Sequence, residues 1–206
     1  MVNQLNVPGI PFALVPAGQW RLDEATGAVT VSAAARTDIF VDPGAATGAE
    51  NASTLNAATL LGLAPEGDFQ LSARVSVDFT ATYDAGVLMT WVDERNWGKL
   101  CFEFSPAGEP MIVSVVCRGT ADDANSFVVP GRSVWLRISR IGRAYAYHAS
   151  VDGTVWQMIR YFALDGGPAP ERIGFEAQAP TGEGCQVTFD EIRFAAARLT
   201  DLRDGS

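Results

Sequence analysis

Gly86-Val87-Leu88-Met89-Thr90-Trp91-Val92-Asp93-Glu94-Arg95-Asn96-Trp97-Gly98-Lys99-Leu100-Cys101-Phe102-Glu103-Phe104 runs on through Ser105-Pro106-Ala107-Gly108-Glu109-Pro110 to Met111-Ile112-Val113-Ser114-Val115-Val116-Cys117-Arg118. The stretch reads as three antiparallel strands joined by two turns. Strand residues two apart share a face, so Leu100, Phe102 and Phe104 form one row and Trp97, Lys99, Cys101 and Glu103 the other. With 93–96 as a four-residue turn, Val92 faces Trp97, Thr90 faces Lys99 and Gly86 faces Glu103, while Met89 and Trp91 join the Phe row. A second turn over 105–110 then adds Met111, Val113 and Val115 to the apolar row, and Ser114 and Arg118 to the polar one. One face is a core face. The other gathers Thr90, Trp97, Lys99, Glu103, Ser114 and Arg118.

Outward from this unit the same patterning continues. Phe69, Leu71, Ala73, Val75, Val77 and Phe79 alternate with Gln70, Ser72, Arg74, Ser76 and Asp78, the mark of a long half-buried strand. Earlier, 30–34 and 38–41 are short strands with Trp20 as an anchor before them, 43–56 is an Ala/Gly/Thr/Asn-rich loop, and 60–63 returns to apolar character. Later, 118–125 is a polar crossing and 126–129 a short strand. Residues 133–141 and 144–150 form a hairpin closed by Gly142-Arg143, with Leu136, Ile138, Tyr145, Tyr147 and Ala149 on its core side and Arg137 opposite His148. Asp152-Gly153 turns the chain toward 156–162, and Gly166-Gly167-Pro168 opens the next loop. Ile173, Phe175 and Ala177 alternate with Gly174, Glu176 and Gln178; Val187, Phe189 and Glu191 alternate with Thr188, Asp190 and Ile192. No amphipathic helix of three turns is present, and 199–203 is at most a terminal turn. A dozen or so short strands with Gly, Pro and Asp turns imply two antiparallel sheets packed face to face, an all-β sandwich with residues 1–206 as one domain.

Composition bounds the function. The chain has 24 acidic and 15 basic residues, a net charge of −9, which repels phosphate backbones and anionic bilayers and makes nucleic acid and membrane improbable partners. An oligosaccharide or sugar derivative fits this balance, and a homo-oligomer stays open. Three cysteines without a C-x-x-C pair do not form a disulfide framework, and in this register Cys101 and Cys117 lie on opposite faces. With no basic n-region followed by an apolar core at the N-terminus, the expected location is cytoplasmic.

Catalytic signatures are sparse. Retaining or inverting glycoside hydrolysis needs two carboxyl groups roughly 5 to 9.5 Å apart. The chain lacks an E-x-D-x-E strand; Glu66-Gly67-Asp68-Phe69-Gln70 ends in Gln, and Glu176 would have to meet Glu103 from another strand. His148 is the only histidine, too few with scattered cysteines for a zinc site. Calcium near Asp190 or the Asp38/Asp42 pair has no D-x-D-x-D-G loop behind it, and no P-loop, G-x-S-x-G elbow or dinucleotide fingerprint is present, so no cofactor is expected. Ser150 to Trp156 serves as a hairpin device, with Asp152-Gly153 as the turn.

Asp93-x-x-x-Trp97-x-Lys99-x-x-x-Glu103, preceded by Gly86-Val87-Leu88-Met89 and followed by Val115, resembles the motif of the YesU-like, or regulation-of-enolase, family of unknown function. Thr37-Asp38-Ile39-Phe40, Gly67-Asp68-Phe69-x-Leu71 and Ser150-x-Asp152-Gly153-x-x-Trp156 match further pieces, so the resemblance covers about residues 33–194. After Arg118 the chain departs from the pattern, with Ala124 where an aromatic residue is expected. The resemblance implies a concanavalin A-like jelly roll of two curved sheets. The expectation that follows is a non-catalytic carbohydrate-binding or glycan-related accessory protein, with a groove around Thr90, Trp97, Lys99, Glu103, Arg118 and Glu176. A protein-interaction module and, less favoured, a glycoside-acting enzyme are the alternatives.

Overall fold

Period-two patterning becomes two seven-stranded antiparallel sheets in the computed structural model, which describes residues 4–45, 53–165 and 170–206. The first half of the chain supplies β1 (Val15–Ala17), β2 (Trp20–Leu22), β3 (Val29–Ala34), β4 (Ile39–Val41), β5 (Ser53–Leu55), β6 (Ala58–Leu63), β7 (Phe69–Asp78) and β8 (Ala85–Asp93). The second half supplies β9 (Asn96–Phe104), β10 (Pro110–Arg118), β11 (Thr120–Val128), β12 (Ser133–Ile141), β13 (Ala144–Ser150), β14 (Gln157–Ala163), β15 (Arg172–Gln178) and β16 (Gly184–Ala195). One sheet runs β1-β6-β15-β8-β9-β10-β11 and the other β14-β13-β12-β7-β16-β3-β2, while β4 and β5 pair as a separate ribbon. The expected all-β sandwich of two antiparallel sheets is the observed architecture. Leu88, Leu100, Phe102, Ile112 and Phe175 of the first sheet meet Leu71, Val75, Leu136, Tyr147 and Phe189 of the second in one apolar core, with Phe175 and Phe189 centroids 4.8 Å apart. Trp20 packs against that core, 6.0 Å from Phe189.

The register of β8, β9 and β10 differs from expectation by one residue at each hairpin. Asp93 pairs with Asn96, so the loop is the two residues Glu94 and Arg95, and the Asp93 carboxylate accepts the Arg95 N–H at 2.8 Å. That Asx contact stabilises the tight turn, and Val92 becomes a bulge residue whose side chain stays in the core. Trp91 therefore faces Trp97, Met89 faces Lys99, Ala85 faces Glu103, and Gly86 faces Phe102. At the next hairpin Pro110 pairs with Phe104, leaving a five-residue loop that Ser105 ties through its backbone and hydroxyl to Glu109. Met111, Val113 and Val115 join the Lys99 face as a result, and Ile112, Ser114, Val116 and Arg118 the Phe102 face.

Several expectations are corrected with it. Thr90 points between the sheets and shares a 3.1 Å hydrogen bond with the Tyr147 hydroxyl. Arg118 lies opposite Asn96 at the strand end, exposed, with Nη1 donating to the Ala163 carbonyl. Cys101 and Cys117 are on the same face, and all three cysteines are buried and free. Residues 118–125 do not cross the molecule: Gly119, at φ +89°, lets β11 fold back on β10 as an edge strand. In β16 a bulge between Asp190 and Arg193, with Glu191 at φ +47°, turns Glu191 outward and Ile192 into the core. The 133–150 hairpin has the expected register, with Arg137 opposite His148. The loop expected over 43–56 ends in β5, and its residues 46–52, like Gly166-Gly167-Pro168, lie outside the described residues.

Gly86 marks how closely the sheets approach. A Cβ there would stand 2.5 Å from Val75 Cγ1 and 2.7 Å from Val187 Cγ1. Gly86→Ala is expected to lower stability in urea unfolding by about 1–3 kcal/mol, the usual cost of overpacking; a loss below ~0.5 kcal/mol would mean the layers yield freely.

Candidate functional site

Strands β8, β9 and β10 are apolar on both faces, as strands buried on both sides must be. Their outer face is covered by the β4–β5 ribbon and its flank: Ile39, Val41 and Ala57 pack in one cluster with Val87, Met89, Trp97, Cys101, Val113 and Cys117, and with Leu61 of β6. Trp97 is 0% exposed, and its indole N–H donates to the Glu94 carbonyl at 3.3 Å. The indole is therefore a core group and not a stacking platform, because the ribbon occupies the surface the sequence leaves open.

Where the ribbon begins, the cover is incomplete and a cavity of about 340 Å³ remains. Lys99, Glu103, Val115 and Gln178 form its floor; Asp38 and Phe40 from the ribbon, Tyr83 from the loop before β8, and Asp123 from β11 form its walls. Lys99 is 2% exposed, and its ammonium donates to Asp38 Oδ1 at 3.0 Å and Gln178 Oε1 at 2.7 Å. Gln178 in turn donates to the Tyr83 carbonyl at 3.2 Å. Tyr83 sits at φ +69°, a left-handed conformation that costs a non-glycine residue energy. The Phe104 carbonyl accepts its N–H at 2.7 Å, and Asp84 Oδ2 accepts the Thr80 and Ala81 N–H groups, so the turn is held in that shape with the phenol ring on the rim.

Charge is unevenly balanced here. Burial works against the Lys99 ammonium, but Asp38 and Glu176 outweigh it and raise its pKa. Glu103 is pushed up to about 8 by burial, with Lys99 opposing and Asp123, Asp38 and Glu176 adding. Burial also raises Asp123. Glu176, fully buried on the same sheet face, is pushed up to about 8 by burial with Lys99 opposing, and among the described residues neither oxygen has a hydrogen-bond partner. Burial thus shifts Glu103 and Glu176 toward the neutral acid form.

Of the six expected site residues, Lys99 and Glu103 line the cavity, and Glu176 stands beside them without reaching its wall. Trp97 lies under the ribbon, and Thr90 and Arg118 belong to the opposite face. Asp38, Phe40, Tyr83, Asp123 and Gln178 were not foreseen. Gln178 was legible from its alternation with Glu176, and Asp38 and Phe40 lay in the quoted Thr37-Asp38-Ile39-Phe40 piece, but no local signal places Tyr83 or Asp123. Among the described residues no group of three or more His, Cys, Asp or Glu is arranged to hold a metal ion. Asp190 is engaged in a bidentate pair with Arg74 at 2.7 and 2.8 Å.

Residues 15–197 match a family described as protein of unknown function, DUF1349. The chain belongs to this family. No curated protein matches it in sequence. Among solved structures it is similar to a functionally unknown protein from Saccharomyces cerevisiae, at 22% identity and a TM-score of 0.78, covering 90% of this chain and 97% of that one. It is also similar to part of the GH43 protein BlXynB from Bacillus licheniformis (15% identity, TM-score 0.71, 90% of this chain and 37% of that one). A Bacteroides ovatus xyloglucan-locus GH43B protein is matched likewise (15%, 0.69, 92% and 37%). At these identities the likeness is one of fold.

Two outcomes follow from the burial of this face. Trp97→Ala should behave as a folding mutant, losing about 3–5 kcal/mol in chemical unfolding. Glu176 has a pKa near 4.5 when unfolded and about 8 when folded, so the stability it contributes is fully present below the lower value and is lost as pH rises through the upper one. Glu103 acts in the same direction. The melting temperature should therefore fall between these limits; Glu176→Gln should flatten that slope and melt higher than the parent above the upper limit. Parallel curves in calorimetry would show that Glu176 is ionised in the folded protein.

Proposed function

We propose that the cavity over Lys99 and Glu103 binds a carbohydrate and that the protein is a non-catalytic glycan-binding module. The observation that carries this reading is the pairing, in one hollow, of fixed hydrogen-bonding groups with aromatic rings. Sugars offer hydroxyls to the former and C–H faces to the latter. The Lys99 ammonium is held by Asp38 and Gln178, Glu103 lies on the same floor, and Phe40 and Tyr83 stand at the wall and rim. A volume of about 340 Å³ lies at the small end of ligand pockets and suits one or two pyranose rings. The pattern resembling the YesU-like proteins supports the same reading, since its Asp38, Phe40, Lys99, Glu103 and Val115 all line this cavity.

A glycoside-acting enzyme is the second reading, favoured by one observation: Glu103, which burial pushes toward the neutral acid, shares its cavity with Asp123. The register weighs against it. Asp123 lies opposite Val115, and Val115 opposite Lys99, four residues along the strand from Glu103. That is about 13 Å of strand between backbone positions, an offset the side chains would have to close to stand as paired hydrolytic carboxyls, so binding is the reading adopted.

Calorimetry and saturation-transfer NMR with a panel of mono- and oligosaccharides test it. Binding is expected, weakened about tenfold by Tyr83→Ala or Phe40→Ala, the loss of one stacking contact, with unfolding transitions kept. No binding across the panel, or binding indifferent to both rings, overturns the proposal.

A further inference from the structure

The acidic groups of the cavity outnumber its cation. Lys99 is satisfied by Asp38 and Gln178, and Glu103 and Asp123 face the hollow with no cation in ion-pair contact among the described residues. Arg160, the nearest guanidinium to Asp123, is engaged elsewhere, 2.7 Å from Asp122 Oδ2 and donating to the Ser114 and Asp122 carbonyls. Among the described residues Asp123 is met by the Ala124 N–H alone, and no donor hydrogen-bonds the Glu103 carboxyl. Glu176 adds a third carboxyl on the same sheet face, fully buried and with both oxygens unpaired. Beside these acids stand the rings of Phe40 and Tyr83, whose faces attract cations as well as sugar C–H groups. A neutral sugar would answer the rings and leave the carboxyls as found. A ligand with one positive charge answers both.

We propose that the sugar bound here is an amino sugar, its ammonium paired with Glu103 and its ring against Tyr83 and Phe40. This rests on the carbohydrate reading and narrows it. Binding converts the neutral Glu103 acid to a carboxylate paired with the ammonium; its proton passes to the buffer, and the ligand keeps its own. The charged or ionisable groups facing Glu103 are Lys99 and Cys101 from its own strand, Asp38 just before β4, Asp123 from β11 and Glu176 from β15. Cys101 is held neutral by burial, and only Lys99 opposes the new charge. Ligand binding therefore releases a proton, which a neutral sugar has no means of doing.

Calorimetry of the intact protein with glucosamine, glucose and N-acetylglucosamine, at about pH 6 where the sugar amine is protonated, tests this. Glucosamine should bind at least ~tenfold more tightly than the two neutral sugars. Its heat, compared between cacodylate and bis-Tris, should report release of about one proton. Glu103→Gln copies the shape of the neutral acid present in the free protein, so it should fold, bind glucosamine no better than glucose, and release none. If the three sugars bind alike, or Glu103→Gln leaves the preference for glucosamine unchanged, the amine assignment falls and the sugar site stands. If no sugar binds, both fall.

Discussion

The contact between the Lys99 ammonium, Asp38 and Gln178 joins strand β9 to two segments that meet beside it through the Thr37–Ala179 backbone bridge. Lys99 is on β9, Gln178 ends β15, and Asp38 leads into the β4–β5 ribbon. A buried ammonium is costly unless its donors are met, and removing one partner leaves that cost uncompensated. The ribbon is thereby tied over the outer face of the first sheet. Its apolar residues Ile39 and Val41 complete a second core there, and the hollow at its start is what remains. The polar contact supplies position, and the apolar burial supplies most of the stabilisation.

The fold was legible because hydrophobic alternation reports faces directly. Phe69 to Val77 alternate without a break, and the 133–150 hairpin, closed by Gly142-Arg143, has the register that alternation and turn chemistry imply. The site was less legible because parity depends on bulges and on loop length, and each hairpin contained one such step. At the first the Val92 bulge shifts the pairing by one, and at the second Pro110, at a first-strand position open to proline, pairs with Phe104 and shortens the loop to five residues. One residue at each hairpin moved Thr90, Ser114 and Arg118 to the far side. The β9 row itself, Trp97, Lys99, Cys101 and Glu103, was read correctly, so Lys99 and Glu103 did end in one cavity.

A signal for the covered outer face was present in the sequence. From Met111 to Cys117 every residue but Ser114 is apolar, and from Gly86 to Val92 every one but Thr90. A strand wetted on one side alternates; one apolar at both parities is buried on both. Such a pattern demands a second covering layer, and the short Ile39-Phe40-Val41 strand supplies it. Tyr83 and Asp123 stayed invisible because both depend on tertiary placement, one through a left-handed backbone fixed by Gln178 and Phe104, the other through an edge strand turned back by Gly119.

The chain buries a second cation, and the comparison bears on what the cavity is for. Arg137, on the outer face of the other sheet, is buried with its guanidinium 4.2 Å from the Trp156 ring and one nitrogen donating to the Gly205 carbonyl. No carboxylate pairs with it among the described residues, and burial alone pushes its pKa down to about 10. The same chain can thus hold a buried cation with a carbonyl and an indole, in a place where the tail covers it completely. At Lys99 one carboxylate and one amide already meet the ammonium, yet Glu103 and Asp123 add acidic groups around an open hollow, and Glu176 adds one beneath it. Each raises the desolvation cost of the others. Stability would be better served by apolar or amide side chains at those positions, so the surplus of carboxyls is an expense that folding does not explain and that a positively charged ligand would relieve.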